Sequence, residues 1–158
     1  LVDGGEDEPL SGTFAAEAPA LPYNTSTTAI ANVSAEAAFG HLRRIIVTGA
    51  DCVIPATHLL AGKLRKSPVL GTLDRHGRCI LHDCIANLPP RSVRVITMIL
   101  NACDEPTVHR LLSAAPPSDH YMTPLHSACL EGSEAVAEVL IDACIRYDPG
   151  QLTTVFCL

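Results

Sequence analysis

The sequence predicts an all-α protein, and three features of the chain support this. The second half contains an internal repeat, residues 34–68 carry apolar side chains at helical spacing without a strand signal, and 47% of all residues are hydrophobic. The repeated unit includes a helix of about two turns, which is too short to be stable alone in water. Such units become stable by stacking on like neighbours, so the predicted architecture is an α-solenoid of stacked helix-turn-helix repeats.

The first 33 residues differ in composition from the rest and are predicted to form an acidic, Pro-rich tail. Residues 1–36 contain six acidic residues and neither Lys nor Arg, and residues 1–31 show no sustained helical or strand period. Residues 37–100 contain nine basic and three acidic residues, whereas residues 101–158 contain two basic and eight acidic ones. We therefore expect a disordered or extended N-terminal tail, followed by a folded part with a basic middle.

Composition and charge argue against several kinds of partner. The chain has three Tyr, three Phe and no Trp, too few rings for a base-stacking platform or an aromatic-lined ligand cleft. Its net charge of -6 is unlike that of a nucleic-acid binder. The longest apolar run, residues 95–100, is far shorter than the roughly 20 residues of a membrane-spanning helix. We expect a soluble chain that binds protein, with no nucleic acid, membrane, small-molecule substrate or cofactor.

Residues 34–73 are predicted to form a helical hairpin that is either a divergent repeat or a cap. Ser34 stands in the N-cap position before apolar residues at helical spacing, and Gly49 supplies the stop. Pro55 is predicted to open the second helix at its first position, and this helix should end before Ser67 and Pro68.

The internal repeat relates residues 77–103 to residues 121–144. The segment ILHDC (80–84) aligns with PLHSA (124–128) at an offset of 44, and VITMILNAC (95–103) aligns with VAEVLIDAC (136–144) at an offset of 41. A longer inter-helix turn in the first copy absorbs the difference. A match that survives an insertion between its halves indicates a true structural repeat.

The second copy shows most clearly what each repeated residue does. Thr123 can cap the first helix, Pro124 fits the first helical position, and Gly132 ends the helix. Leu125 belongs to the apolar face, together with Ala128 and Cys129. A second helix follows, with apolar residues at core spacing.

The motif TPLH within residues 118–144, followed by small residues, a Gly and an apolar second helix, resembles an ankyrin repeat. The resemblance extends to residues 74–103, where Leu81 and His82 match the motif and Cys79 stands in place of the capping Thr, and more weakly to residues 37–51. The intervening segment adds a helix near residues 105–115. Ankyrin-like repeats therefore account for residues 74–158. The motif residues with structural roles are Leu81, His82, Thr123, Pro124, Leu125, His126 and Gly132.

The resemblance implies a non-catalytic protein–protein interaction module, an adaptor or scaffold. In such repeats, partners dock on the tips of the hairpin turns and on the concave face formed by the first helices. At these positions the chain carries seven partner-binding candidates: Arg75, His76, Arg78, Asp83, His120, Tyr121 and Ser127.

Three alternatives stand beside this expectation. The chain could be a structural subunit of a large assembly, in which the repeats hold neighbours together. It could be a zinc-stabilised module, with ligands drawn from His76, Cys79, His82 and Cys84. A hydrolase would need a Cys or Ser held beside a base, but no Gly-x-Ser-x-Gly motif is present.

The cysteines favour a reducing compartment, cytoplasmic or nuclear. There are seven, an odd number spread along the chain, and most stand among apolar neighbours where a reduced Cys behaves as a small hydrophobe. Two glycosylation sequons, at Asn24 and Asn32, point instead to secretion.

Overall fold

Helices account for all the regular secondary structure in the part of the chain that the computed structural model describes, namely residues 34–49, 53–89, 91–147 and 149–150. These residues belong to one unit, Asn32–Leu158. The all-α prediction is confirmed for them. The acidic, Pro-rich tail predicted for residues 1–33 lies outside the described residues.

Seven α-helices follow one another along the described residues, with two short 3₁₀ helices between them. The α-helices are α1 (Ala35–Thr48), α2 (Val53–Ala61), α3 (Ile80–Asn87), α4 (Ser92–Ala102), α5 (Glu105–Ser113), α6 (Pro124–Leu130) and α7 (Glu134–Tyr147). The 3₁₀ helices are Pro68–Gly71, between α2 and α3, and Pro117–Asp119, between α5 and α6. None of these helices combines the length and the apolar character needed to cross a bilayer.

The ends of α1 follow from two local signals in the sequence. The Ser34 hydroxyl accepts a hydrogen bond from the backbone N–H of Ala37 at 3.2 Å, which satisfies one unpaired donor of the first turn. Gly49 ends the helix in the left-handed conformation, with φ of 64°, and its N–H donates to the carbonyl of Ile46.

The start of α2 corrects one prediction. The helix begins at Val53, so Pro55 is its third residue and not its first. Proline is tolerated there because the N–H groups of the first helical turn have no intrahelical acceptor in any case.

The helices pack in pairs, and the pairs contact one another. Helix α1 pairs with α2, α3 with α4, and α6 with α7. The first helices also contact one another, α1 against α3 and α3 against α6, while α2 contacts α4 and α4 contacts α7. The two halves of the sequence repeat, α3–α4 and α6–α7, therefore lie against each other along both helices.

Helix α5 lies between the two repeated pairs in the chain and packs against α6, α7 and the 3₁₀ helix Pro68–Gly71. Its side chains Val108, Leu111 and Leu112 are buried, and the Asp104 carboxylate caps it by accepting from the N–H of Thr107 at 3.2 Å.

The core runs through all the pairs, and its largest fully buried side chains include Leu42, Ile46, Leu64, Leu70, Ile80, Leu81, Ile96, Ile99, Leu111 and Leu140. Leu125 and Ala128 of α6 belong to it as the sequence predicts. Cys129 does not, because it is exposed on the surface of α6. Its counterpart at the offset of 44, Ile85, is buried at 6% exposure.

The buried side chain of Leu125 provides a test of this packing. Leu125 is 3% exposed, so Leu125→Ala empties core volume and is expected to lower the free energy of unfolding by about 2–5 kcal/mol. Leu130, on the same helix, is 72% exposed, so Leu130→Ala should change it by less than about 0.5 kcal/mol. Urea denaturation followed by circular dichroism measures both. Equal midpoints for the two variants would contradict the packing of α6.

Candidate functional site

Each copy of the repeat places a histidine at the third residue of its first helix, where the ring closes the helix start. In α3 the Nδ1 atom of His82 accepts a hydrogen bond from the backbone N–H of Cys79 at 3.3 Å. In α6 the Nδ1 atom of His126 accepts from the N–H of Thr123 at the same distance, and the Thr123 hydroxyl lies 2.8 Å from that nitrogen. Both helices therefore begin with the same contact between the histidine ring and the N-cap backbone, with Cys79 in the place of Thr123.

His82 also links the two repeated pairs. Its Nε2 atom lies 3.1 Å from the carbonyl oxygen of Met122, the residue before the cap of α6. Because a carbonyl can only accept, Nε2 carries the proton and Nδ1 is the acceptor. The ring is 1% exposed, and burial lowers the pKa of His82, so the imidazole is neutral at neutral pH. One neutral side chain thus starts α3 and ties it to α6.

His126 makes the capping contact through Nδ1 but makes no corresponding bond through Nε2 to the described residues. Its Nε2 atom is buried, and none of the described residues offers it an acceptor. The bond that His82 makes to the neighbouring pair therefore has no counterpart at His126 within the described residues.

Cys79 and His82 are close enough to suggest a nucleophile and its base, but the environment does not suit that chemistry. The Cys79 sulphur lies 3.2 Å from Nδ1 of His82 and 3.5 Å from the carbonyl oxygen of Leu111. Burial raises the pKa of Cys79 to about 11, so the group is a thiol at neutral pH. With 0% of the residue exposed, a substrate has no access to it.

The predicted zinc ligands are already engaged in other contacts. Both ring nitrogens of His82 serve the cap and the link to Met122, and Nε2 of His76 accepts from Nε of Arg75 at 2.9 Å on the surface. Across the described ranges, which include all four predicted ligands, no cluster of three or more His, Cys, Asp or Glu side chains could hold a metal ion.

The predicted hairpin tips are tight turns that expose their side chains. In the first, the Asp74 carboxylate accepts from the N–H groups of His76 and Arg78, each at 2.8 Å, and Gly77 has a φ of 82°. This arrangement presents Arg75 and His76 to solvent.

The second tip holds an aromatic residue in a conformation that glycine usually occupies. Tyr121, the counterpart of Gly77, has a φ of 60°, and His120 before it has a φ of 54°. The left-handed region costs a non-glycine residue about 1–2 kcal/mol. The N–H of Tyr121 donates to the carbonyl of Pro116 at 3.0 Å and fixes the turn, while 68% of the residue is exposed.

Asp83 corrects one predicted contact residue. Instead of facing a partner it is 7% exposed and accepts a hydrogen bond from Nε of Arg43 at 2.6 Å. The same guanidinium reaches Asp74 through Nη2 at 3.1 Å. Because α1 packs on α3, Arg43 covers the position that in the second copy, as Ser127, remains half-exposed.

A cleft of about 200 Å³ lies between α3 and α6, beside the second tip. Arg78 and Ser127, two predicted candidates, line it. Arg78 is ion-paired with Asp119 through Nη1 at 3.3 Å, and its Nε is buried without an acceptor among the described residues. Leaving a buried donor unpaired costs about 1–3 kcal/mol. The remaining lining residues are His82, Ile85, Ala86, Met122, Leu130 and Glu131.

Sequence reasoning missed Asp119, Leu130 and Glu131. The Arg78–Asp119 pair joins residues 41 positions apart, and no local sequence pattern predicts it. Leu130 did carry a signal, because it is a large apolar residue off the buried face of α6, where the first copy has the small Ala86.

The lowered pKa of His82 predicts a pH-dependent stability. Since the folded-state pKa lies below the value of about 6.5 for an exposed histidine, the unfolded chain binds the proton more readily. The stabilisation is complete above about pH 6.5 and is lost as the pH falls towards the folded-state pKa, by up to about 1.4 kcal/mol per pH unit.

His82→Gln should remove this part of the pH dependence between pH 7.5 and 5. Leu125→Ala, which lowers stability without changing a titratable group, should keep the wild-type slope. Urea unfolding at a series of pH values measures both slopes. A wild-type slope in His82→Gln would contradict the buried, neutral imidazole.

Comparison with known proteins adds no family to this description. No protein-family model, curated protein or solved structure matches the chain. The functional interpretation therefore depends on the tips, the cleft and the repeat themselves.

Proposed function

We propose that the chain is an ankyrin-like α-solenoid that recognises another protein without catalysing a reaction. The TPLH motif of α6, its matched counterpart in α3 and the side-by-side packing of the two repeated pairs support the ankyrin-like assignment. In this proposal, the tips at Arg75 and Tyr121 and the exposed surface of the first helices contact the partner.

The observation that carries the proposal is the exposed Tyr121 in a left-handed conformation. A turn that needs positive φ is most stable with glycine, as Gly77 shows in the first copy. Strained backbone that presents an exposed side chain is common at binding sites, and tyrosine is enriched among residues that dominate binding energy.

The described thiols are compatible with the cytoplasmic or nuclear location that we propose. Cys79, Cys103 and Cys129 are free cysteines, and burial raises the pKa of Cys103 to about 12. A cysteine exposed on the surface, as Cys129 is, persists as a thiol most readily in a reducing compartment.

Replacement of Tyr121 separates binding from stability. Tyr121→Gly relieves the left-handed strain, which outweighs the added flexibility of the unfolded chain, and should raise the free energy of unfolding by up to about 1 kcal/mol. The same variant should weaken partner binding, because the aromatic anchor is lost. Gly77→Ala is the reciprocal control, since its φ of 82° strains a side chain, and it should lower stability. If Tyr121→Gly is less stable than the wild type, the strain argument is wrong.

Crosslinking from the tip tests the proposed function directly. A photoreactive amino acid in place of Tyr121 in the full chain should capture one reproducible protein in cells. The same probe at Arg44, exposed on α1, is the matched control and should not capture it. Arg75→Ala should reduce the yield. A partner recovered at fixed stoichiometry through native mass measurement would favour the structural-subunit alternative. Absence of any tip-specific product would contradict the proposal.

A further inference from the structure

The residues that line the cleft between α3 and α6 indicate which kind of partner segment fits there. An inference about that segment rests on the proposed function. Its walls combine apolar surface from Ala86, Met122 and Leu130 with polar groups at Arg78 and Glu131. A volume of about 200 Å³ accommodates one long side chain and not a large ligand.

The charges in the cleft favour a cation. Arg78 is already neutralised by Asp119 at 3.3 Å, whereas Glu131 has no ion-pair partner among the described residues. With the ring of His82 uncharged, the lining carries one positive and two negative groups.

One polar side chain in the cleft has no hydrogen-bond partner among the described residues and suits a peptide backbone. The hydroxyl of Ser127, half-exposed in the same lining, forms no hydrogen bond to the described residues and can donate or accept.

The apolar rim suits the stem of a long basic side chain. Leu130 is 72% exposed, and Ala86 opposite it on α3 is exposed as well. Lys and Arg bury their methylene groups along such surface while the charged head remains near water and a carboxylate.

We propose that this cleft binds an extended segment of the partner that carries a Lys or Arg side chain. The charged head pairs with Glu131, the stem packs on Leu130 and Ala86, and a neighbouring backbone group hydrogen-bonds to the hydroxyl of Ser127. The cleft thus supplies the sequence preference of the interaction, next to the anchor at Tyr121.

Selection from a random decapeptide display library on the full chain tests this proposal. The selected peptides should share one basic position, and their affinity should fall as salt is added. Glu131→Gln should weaken them about fivefold, as expected for a partly exposed ion pair, and Leu130→Ala should weaken them too. Glu138→Gln, which removes an exposed carboxylate of α7 away from the cleft, is the matched control and should leave affinity unchanged. Circular dichroism of each variant verifies that the fold is retained.

Other results overturn the inference. Peptides without a shared basic position, basic peptides insensitive to Glu131→Gln, or no enrichment at all would each exclude the proposed cleft ligand. Peptides whose affinity falls with Tyr121→Gly but not with Glu131→Gln would also exclude the proposed cleft ligand, and they would leave the proposed interaction function intact. Failure of that function is read separately, from the absence of tip-specific crosslinking.

Discussion

One partly buried hydrogen bond, from Nε2 of His82 to the carbonyl oxygen of Met122, links the two repeated helix pairs. The bond is possible only because the cap of α3 fixes the tautomer: Nδ1 accepts from the N–H of Cys79, so the proton is on Nε2. Neither α3, with eight residues, nor α6, with seven, is long enough to persist alone, and the ring that caps the start of α3 also bonds to the residue before the cap of α6. Hydrophobic packing stabilises the pairs, and this bond contributes to their register.

A second polar contact links α1 to α3, as the imidazole of His82 links α3 to the residue before the cap of α6. Arg43 reaches across from α1 to Asp83, which is almost fully buried, and to Asp74, which organises the first tip. An ion pair in this position adds little net free energy, because desolvation offsets the attraction. It does connect the turn at Asp74 to α1.

The elements that could be predicted from the sequence are those set by neighbours in the chain. Ser34, Gly49, Thr123 and Gly132 mark helix ends through contacts within a few residues, and the structure has helix ends at all of them. The exposure of Cys129 could not be predicted, because helical spacing identifies an apolar face without saying how much of it a neighbour covers.

In the candidate site, too, local features could be predicted from the sequence and contacts between distant residues could not. Turns occur at residues 75–77 and 120–121, because a turn is formed by residues close together in the chain. The cleft needs α3 and α6 side by side, so its Asp119 and Glu131 became visible only once the fold was known. The loss of Asp83 as a contact residue has the same origin, because its partner Arg43 lies 40 positions earlier.

Met122 takes part in two features described above, since its carbonyl oxygen accepts the bond from His82 and the residue also lines the cleft. A backbone oxygen survives any replacement of the side chain attached to it. A substitution at Met122 can therefore change the lining of the cleft and keep the hydrogen bond to its backbone carbonyl, whereas a substitution at His82 removes the side chain that donates this bond.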